Sequence, residues 1–128
     1  MRLLLDTHVF LWLQDEPEKV SPSAREVCES GESELFLSVA SIWEMQIKLS
    51  QGKLRLKWPL SRLVDEQCQE NSLQILGVKL PHLWALGGLP LRHGDPFDRL
   101  LIAQANEEGM RLVSADRAFA GYPVNILW

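Results

Sequence analysis

The chain is poor in the features that mark several large classes of protein. Its two cysteines, Cys28 and Cys68, form neither a CxxC pair nor a zinc-ligand spacing, so neither a disulfide framework nor a structural zinc site is expected. Both read as reduced, buried or half-buried thiols. No apolar run is long enough to span a bilayer. The N-terminus lacks the basic, apolar, small-residue order of a secretory leader, because Asp6 interrupts the run Leu3-Leu4-Leu5. A cytoplasmic protein with no membrane partner is therefore expected. GxSxG, P-loop and GxGxxG motifs are absent, which removes the nucleophile-elbow hydrolases, P-loop enzymes and dinucleotide-binding folds. The histidines His8, His82 and His93 do not form a metal-binding spacing. His82 reads as structural, whereas His8 and His93 lie near Asp6 and Asp98 as minor candidates for substrate contact. An excess of positive charge is also missing. The formal net charge of −4 argues against a protein held on nucleic acid by bulk charge, but a metal site attracts phosphate locally.

What is present suits one domain spanning 1–128. Hydrophobic residues make up 46% of the chain, enough for a core and too many for disorder. Arg2 to Leu5 reads as a buried strand, and Thr7 to Gln14 as a helix. Ser21-Pro22 opens another helix, with serine at the cap and proline at the first position, and Gly31 stops it. Glu34 to Ser38 is a second strand. Val39 to Ser50 follows a helical period with Ile42, Met45 and Leu49 on one face. Pro59 to Asn71 is a polar helix, Leu73 to Val78 a third strand and Pro81 to Leu86 a short helix. Asp95 caps a helix that begins at Pro96 and closes at Gly109. Arg111 to Ser114 and Val124 to Leu127 are the last strands, with a short helix between them. Strands alternating with helices predict an α/β/α sandwich around a mainly parallel five-stranded sheet. Trp12 and Trp43 are expected in the core. Trp58 is the leading candidate for stacking on a base.

Four acids stand out. Asp6 ends the first strand and Asp116 follows the fourth. Glu44 and Asp98 lie near the starts of two helices. Each has a structural reading. Asp6 and Asp116 can cap helices, Asp98 at a third helical position is favoured by the helix dipole, and Glu44 precedes Lys48 by one helical turn. Capping requires no convergence, yet parallel topology sends all four to one sheet edge, where α/β folds bind ligands. Clustered carboxylates repel one another unless protonated or bound to a cation, and hard oxygen donors suit Mg²⁺ or Mn²⁺. The pattern points to metal-assisted chemistry on phosphate esters.

The segments LLLDTHVFLWL, SVASIWEMQIKLSQGKL, HGDPFDRLLIAQA and LVSADRAFAGY, in this order, strongly resemble the PIN-domain family, and within it the VapC-type ribonuclease toxins of VapBC toxin–antitoxin modules. The resemblance covers essentially the whole chain. It implies an endoribonuclease using one or two Mg²⁺ or Mn²⁺ ions. Its metal-binding and catalytic acids fall on Asp6, Glu44, Asp98 and Asp116, with Ser114 at the usual hydroxyl position two residues before the last. Asp95 is an additional carboxylate, read as a cap with a supporting role as the alternative. A water nucleophile activated by metal implies 5′-phosphate and 3′-hydroxyl products. The resemblance also implies a VapB-like antitoxin, a homodimer and an RNA substrate.

Between Gln46 and Arg62 the chain carries Lys48, Lys53, Arg55, Lys57 and Arg62 and no acid. This is either a solvated face or a rim for the phosphate backbone, and Arg99 beside Asp98 joins the candidate substrate contacts. Two rival readings fit the chain less well. A phosphoryl-receiving signalling domain wants paired N-terminal acids and a late lysine, and has neither here. A catalytically inactive PIN-fold module that binds metal or RNA conflicts with the complete set of four acids.

Overall fold

A computed structural model describes residues 1–92 and 94–128. The reading of His93 falls outside the described residues. Among the described residues five strands build the sheet: β1 (Arg2–Leu5), β2 (Glu34–Ser38), β3 (Gln74–Leu76), β4 (Arg111–Val113) and β5 (Ile126–Leu127). The helices are α1 (Thr7–Asp15), α2 (Pro22–Glu29), α3 (Val39–Ser50), α4 (Leu60–Glu70), α5 (Leu80–Leu86) and α6 (Pro96–Glu108), with short 3₁₀ turns at Pro17–Lys19 and Arg117–Gly121. Strand order is β3-β2-β1-β4-β5, and every pairing is parallel. The sheet is thus wholly parallel rather than mainly so.

A continuous apolar strand needs cover on both faces. Leu3 and Leu5 point into one core with Val9, Phe10, Ala24, Leu37, Met45 and Leu60, supplied by α1 to α4. Leu4 points into the other with Leu101, Ile102, Ala105, Leu112 and Phe119, supplied by α6 and the second 3₁₀ turn. Serine side chains cap two of the helix starts. The Ser21 hydroxyl accepts from the Ala24 amide at 3.2 Å, and the Ser38 hydroxyl accepts from the Ala40 amide at 3.0 Å. Gly109 ends α6 with φ +65°, a left-handed conformation that glycine adopts without a Cβ penalty.

Several boundaries differ from the sequence expectations. β3 covers three residues instead of six, because it is an edge strand with β2 as its one partner. β5 covers two residues at the opposite edge. Proline at 59 serves as the N-cap of α4, which starts at Leu60. Trp43 is a clear correction. It is 62% exposed, because the inward face of α3 is Ala40, Ser41 and Met45. Trp12 is half-buried against the core, in line with expectation. His82 is fully buried. Its Nδ1 accepts from the Lys79 amide at 3.0 Å and its Nε2 lies 2.9 Å from Glu108, which is the structural role expected. Cys28 is buried and Cys68 half-buried, both free. Among the described residues no helix is long and apolar enough to cross a membrane.

Candidate active site

The chain winds outward from β1 through β2 to β3, then returns to the other side of β1 to lay down β4 and β5. The reversal lies between β1 and β4, and a parallel sheet opens a crevice at the carboxyl ends of its strands at such a point. Asp6 and Ser114 immediately follow these two strands. The Asp6 amide donates to the Val113 carbonyl at 3.0 Å, so the strands stay paired up to the crevice.

The Asp6 carboxylate is only 6% exposed. One oxygen accepts from the Thr7 amide at 2.7 Å, and the other accepts from the Ser114 hydroxyl at 2.8 Å. The Ser114 oxygen in turn accepts from the Asp116 amide at 3.0 Å. Asp116 caps the following 3₁₀ turn through the Ala118 amide at 2.9 Å. The buried Thr7 hydroxyl donates to Glu44 Oε1 at 2.7 Å, while Glu44 Oε2 lies 3.5 Å from the Lys48 ammonium. One hydrogen-bonded chain therefore runs from Glu44 through Thr7, Asp6 and Ser114 to Asp116.

Burial pushes the Asp6 carboxyl above the usual carboxylate range, since desolvation disfavours its charged form. The Ser114 hydrogen bond, the nearby His8 charge and the Thr7 amide pull the other way, and the Glu44 charge adds to the rise. A cavity of about 300 Å³ opens beside it, lined by Asp6, His8, Val9, Trp12, Ala115 and Asp116.

Asp98 lies half-buried in the first turn of α6, and its amide donates to Asp95 Oδ1 at 3.1 Å. The Trp43 and Phe97 rings meet edge to face with centroids 5.2 Å apart. This contact brings the second turn of α3, which carries Glu44, against the first turn of α6, which carries Asp98. The structure thus links Asp6, Glu44, Ser114 and Asp116 through hydrogen bonds and puts Asp98 on a helix that begins at the same sheet edge. Asp95 fills the capping role, accepting from the Phe97 and Asp98 amides through one oxygen.

The basic candidates divide. Lys48 faces Glu44. Lys53, Arg55 and Lys57 are exposed on the connection between α3 and α4. Arg99 donates to the Pro90 carbonyl at 2.8 Å and to the Tyr122 hydroxyl at 3.1 Å, which ties α6 to the neighbouring loops. Trp58 has the Arg62 guanidinium over its ring at 4.0 Å, so one face of that ring already carries a cation.

Sequence reasoning missed Thr7, whose partner Glu44 is 37 residues away. It also missed a buried junction in which the Ser38 hydroxyl donates to Gln104 Oε1 at 2.6 Å and Gln104 Nε2 donates to the Gly77 carbonyl at 3.3 Å. A glutamine inside the apolar face of α6 was the available signal, because a buried amide requires partners.

The donor set is suited to a hard divalent cation. It consists of carboxylate oxygens at the ends of β1 and β4 and the starts of α3 and α6, and it includes a desolvated acid whose charged form a cation would favour. The Ser41 hydroxyl, one turn before Glu44, is buried and has no hydrogen-bond partner among the described residues, a further polar atom at this edge. Among the described residues no three His, Cys, Asp or Glu side chains already stand together as a finished metal site.

Comparison with known proteins agrees with this fold. The family model described as PIN domain matches residues 3–125. The chain belongs to the PIN domain family. This PIN domain is 31% identical over 116 residues to Ribonuclease VapC22 of Mycobacterium tuberculosis, covering 90% of this chain and 87% of that protein. Its fold is similar to that of VapBC2 from Rickettsia felis bound to a DNA fragment from their promoter, with a TM-score of 0.74 at 16% identity, covering 99% of this chain and 98% of that one. It is also similar to the DNA-bound VapBC of Salmonella typhimurium, with a TM-score of 0.68 at 18% identity, covering 99% and 97%. The α/β/α architecture around a parallel sheet is thus shared with these solved VapBC structures.

Proposed function

We propose that this PIN domain is a divalent-metal-dependent endoribonuclease and the toxin of a VapBC-type module, acting in the cytoplasm, with RNA as substrate and a VapB-like antitoxin and a second copy of the chain as partners. The observation that carries this reading is the hydrogen-bonded set of Asp6, Ser114 and Asp116 at the reversal point of the sheet, reached by Glu44 through Thr7. The relation to a protein named as a VapC ribonuclease and the likeness in fold to VapBC complexes support it.

In this reading Asp6, Glu44, Asp98 and Asp116 hold one or two Mg²⁺ or Mn²⁺ ions. When bound, the metal supplies a Lewis acid that activates water and offsets charge building on the phosphate. The residues of the chain then have distinct tasks. Ser114 and the Thr7 amide fix both oxygens of Asp6 and favour its charged form. Thr7 orients Glu44, and Ser114 positions the backbone that carries Asp116. Lys53, Arg55 and Lys57 offer a cationic rim to the RNA backbone. Because water is the nucleophile, the products carry 5′-phosphate and 3′-hydroxyl ends.

The test is cleavage of structured RNAs by antitoxin-free protein with Mg²⁺ or Mn²⁺, with EDTA, and with Asp98→Asn. Metal-dependent cutting lost in the variant is the expected result. Cyclic 2′,3′-phosphate ends, or cutting that survives both EDTA and the substitution, would overturn the reading. The second reading is an inactive metal- or RNA-binding PIN module. It is favoured by the lack of a finished three-ligand group among the described residues, and its mark is metal binding without cleavage.

A further inference from the structure

We propose that the α1 wall of the acidic cavity, formed by His8 and Trp12, is a nucleobase slot that seats one base beside the reacting phosphate. The inference rests on the ribonuclease reading of the same cavity and names what the rest of that cavity receives.

The cavity has two unlike sides. Asp6 and Asp116 make one, and His8, Val9 and Trp12 from a single face of α1 make the other. The His8 and Trp12 rings lie with centroids 5.9 Å apart, tilted by 39°. Beyond them the Trp128 ring sits 6.2 Å from Trp12, and the Lys19 ammonium stands 6.0 Å from the Trp12 ring centre. His8 is exposed and Trp12 half-buried, so ring surface faces the cavity rather than the core alone. No lysine or arginine is among the lining residues. Lys19 stands over the Trp12 ring and is not among the lining residues, so the wall itself offers a flat base two aromatic rings. Bases stack on aromatic side chains whatever their identity. A volume of about 300 Å³ lies at the small end of ligand pockets, room for a base and not for a helix.

His8 and Trp12 lie one helical turn apart, so both reach the same side of α1. This places the stacking surface directly after the strand that delivers Asp6. A base held there would lie within a nucleotide's length of the carboxylates. His8 and Trp12 act in this account as specificity residues, choosing which phosphodiester reaches the acids.

The experiment measures binding of short fluorescent RNA oligonucleotides, in the Asp98→Asn background with Mg²⁺, using a series in which each base in turn is replaced by an abasic site. Cutting by the unmodified protein is followed in parallel. One base position is expected to matter strongly, with its removal weakening binding about 5- to 150-fold, the range typical of one base–ring stack. His8→Ala should cost a similar factor on intact RNA and little on the oligonucleotide lacking that base. His8→Phe, which keeps a ring, should restore binding. Trp12→Leu, which keeps apolar bulk against the core, should behave like His8→Ala. Equal losses for His8→Ala on every oligonucleotide, or no loss at all, overturn the slot even if the protein cuts RNA. Ring-dependent binding by a protein that cuts nothing keeps the slot and removes the nuclease reading. Failure to bind any RNA removes both.

Discussion

The Ser114 hydroxyl donates to Asp6 Oδ2 at 2.8 Å across 108 residues of sequence. It joins the end of β4 to the end of β1 at the point where the sheet reverses direction. The same oxygen accepts from the Asp116 amide. One small side chain therefore fixes the position of two of the four acids and favours the charged state of one.

That dual role gives Ser114→Ala a defined signature. The hydrogen bond lowers the Asp6 carboxyl, so its loss raises that group further above the ordinary carboxylate range. A reaction needing ionised Asp6 then requires higher pH. The acidic limb of the pH–rate profile should move to higher pH, with a smaller effect on the plateau. An unmoved limb would mean that Asp6 is not the group whose ionisation limits the rate.

Burial of the Asp6 carboxyl costs stability as the pH rises. Its folded carboxyl is raised by burial, so between the unfolded and folded values the native state binds more protons than the unfolded chain. Stability then falls as pH climbs through that window, and the deficit persists at neutral pH. Metal-free Asp6→Asn should melt above metal-free wild type at pH 7, with the gap closing toward pH 4. Added Mn²⁺ should raise the melting temperature of the wild type and not of the variant. Differential scanning calorimetry checks both.

Thr7→Val keeps the shape of the side chain and removes the donor to Glu44. Residues that orient a metal-binding carboxylate typically contribute 10–100-fold to affinity or activity. We expect kcat/KM for RNA cleavage to fall roughly 10- to 100-fold with little change in secondary structure. Full activity in Thr7→Val would show that Glu44 is not held by this contact during the reaction.

Gln104 joins three elements, through Ser38 at the start of α3 and the Gly77 carbonyl after β3. Gln104→Met removes the acceptor of the buried Ser38 hydroxyl proton and the donor to the part-buried Gly77 carbonyl, which costs about 1–3 kcal/mol. Urea unfolding should show this as a lower midpoint with an unchanged slope. Adding Ser38→Ala should cost less than the sum of the two single losses, because the two side chains already serve each other. Full additivity would argue against the pairing.

Much of this protein was legible along the chain. The apolar run Leu3-Leu4-Leu5 marks a strand buried on both faces. Ser21 and Asp95 mark helix starts, and Gly109 marks an end. These signals are local, arising from side chains that bond to the nearest backbone, and they survive whatever surrounds them. Alternating elements then imply a parallel sheet, and the sheet implies which edge receives Asp6, Glu44, Asp98 and Asp116. Long-range relations were not legible. Trp43 follows an apolar helical pattern, yet it lies outside because the facing layer is filled by Ala40, Ser41 and Met45. Trp58 lies in a basic segment, but Arg62 covers one face of its ring. The extents of β3 and β5 depend on how many partners an edge strand finds, and no local propensity encodes that. The pairings Thr7 with Glu44, Ser38 with Gln104 and Ser114 with Asp6 join residues 37, 66 and 108 positions apart. The sequence by itself determined which acids the strand ends and helix starts carry. Only the tertiary structure decided which hydroxyls hold them, because a buried carboxylate must take its hydrogen bonds from whichever groups packing brings within reach.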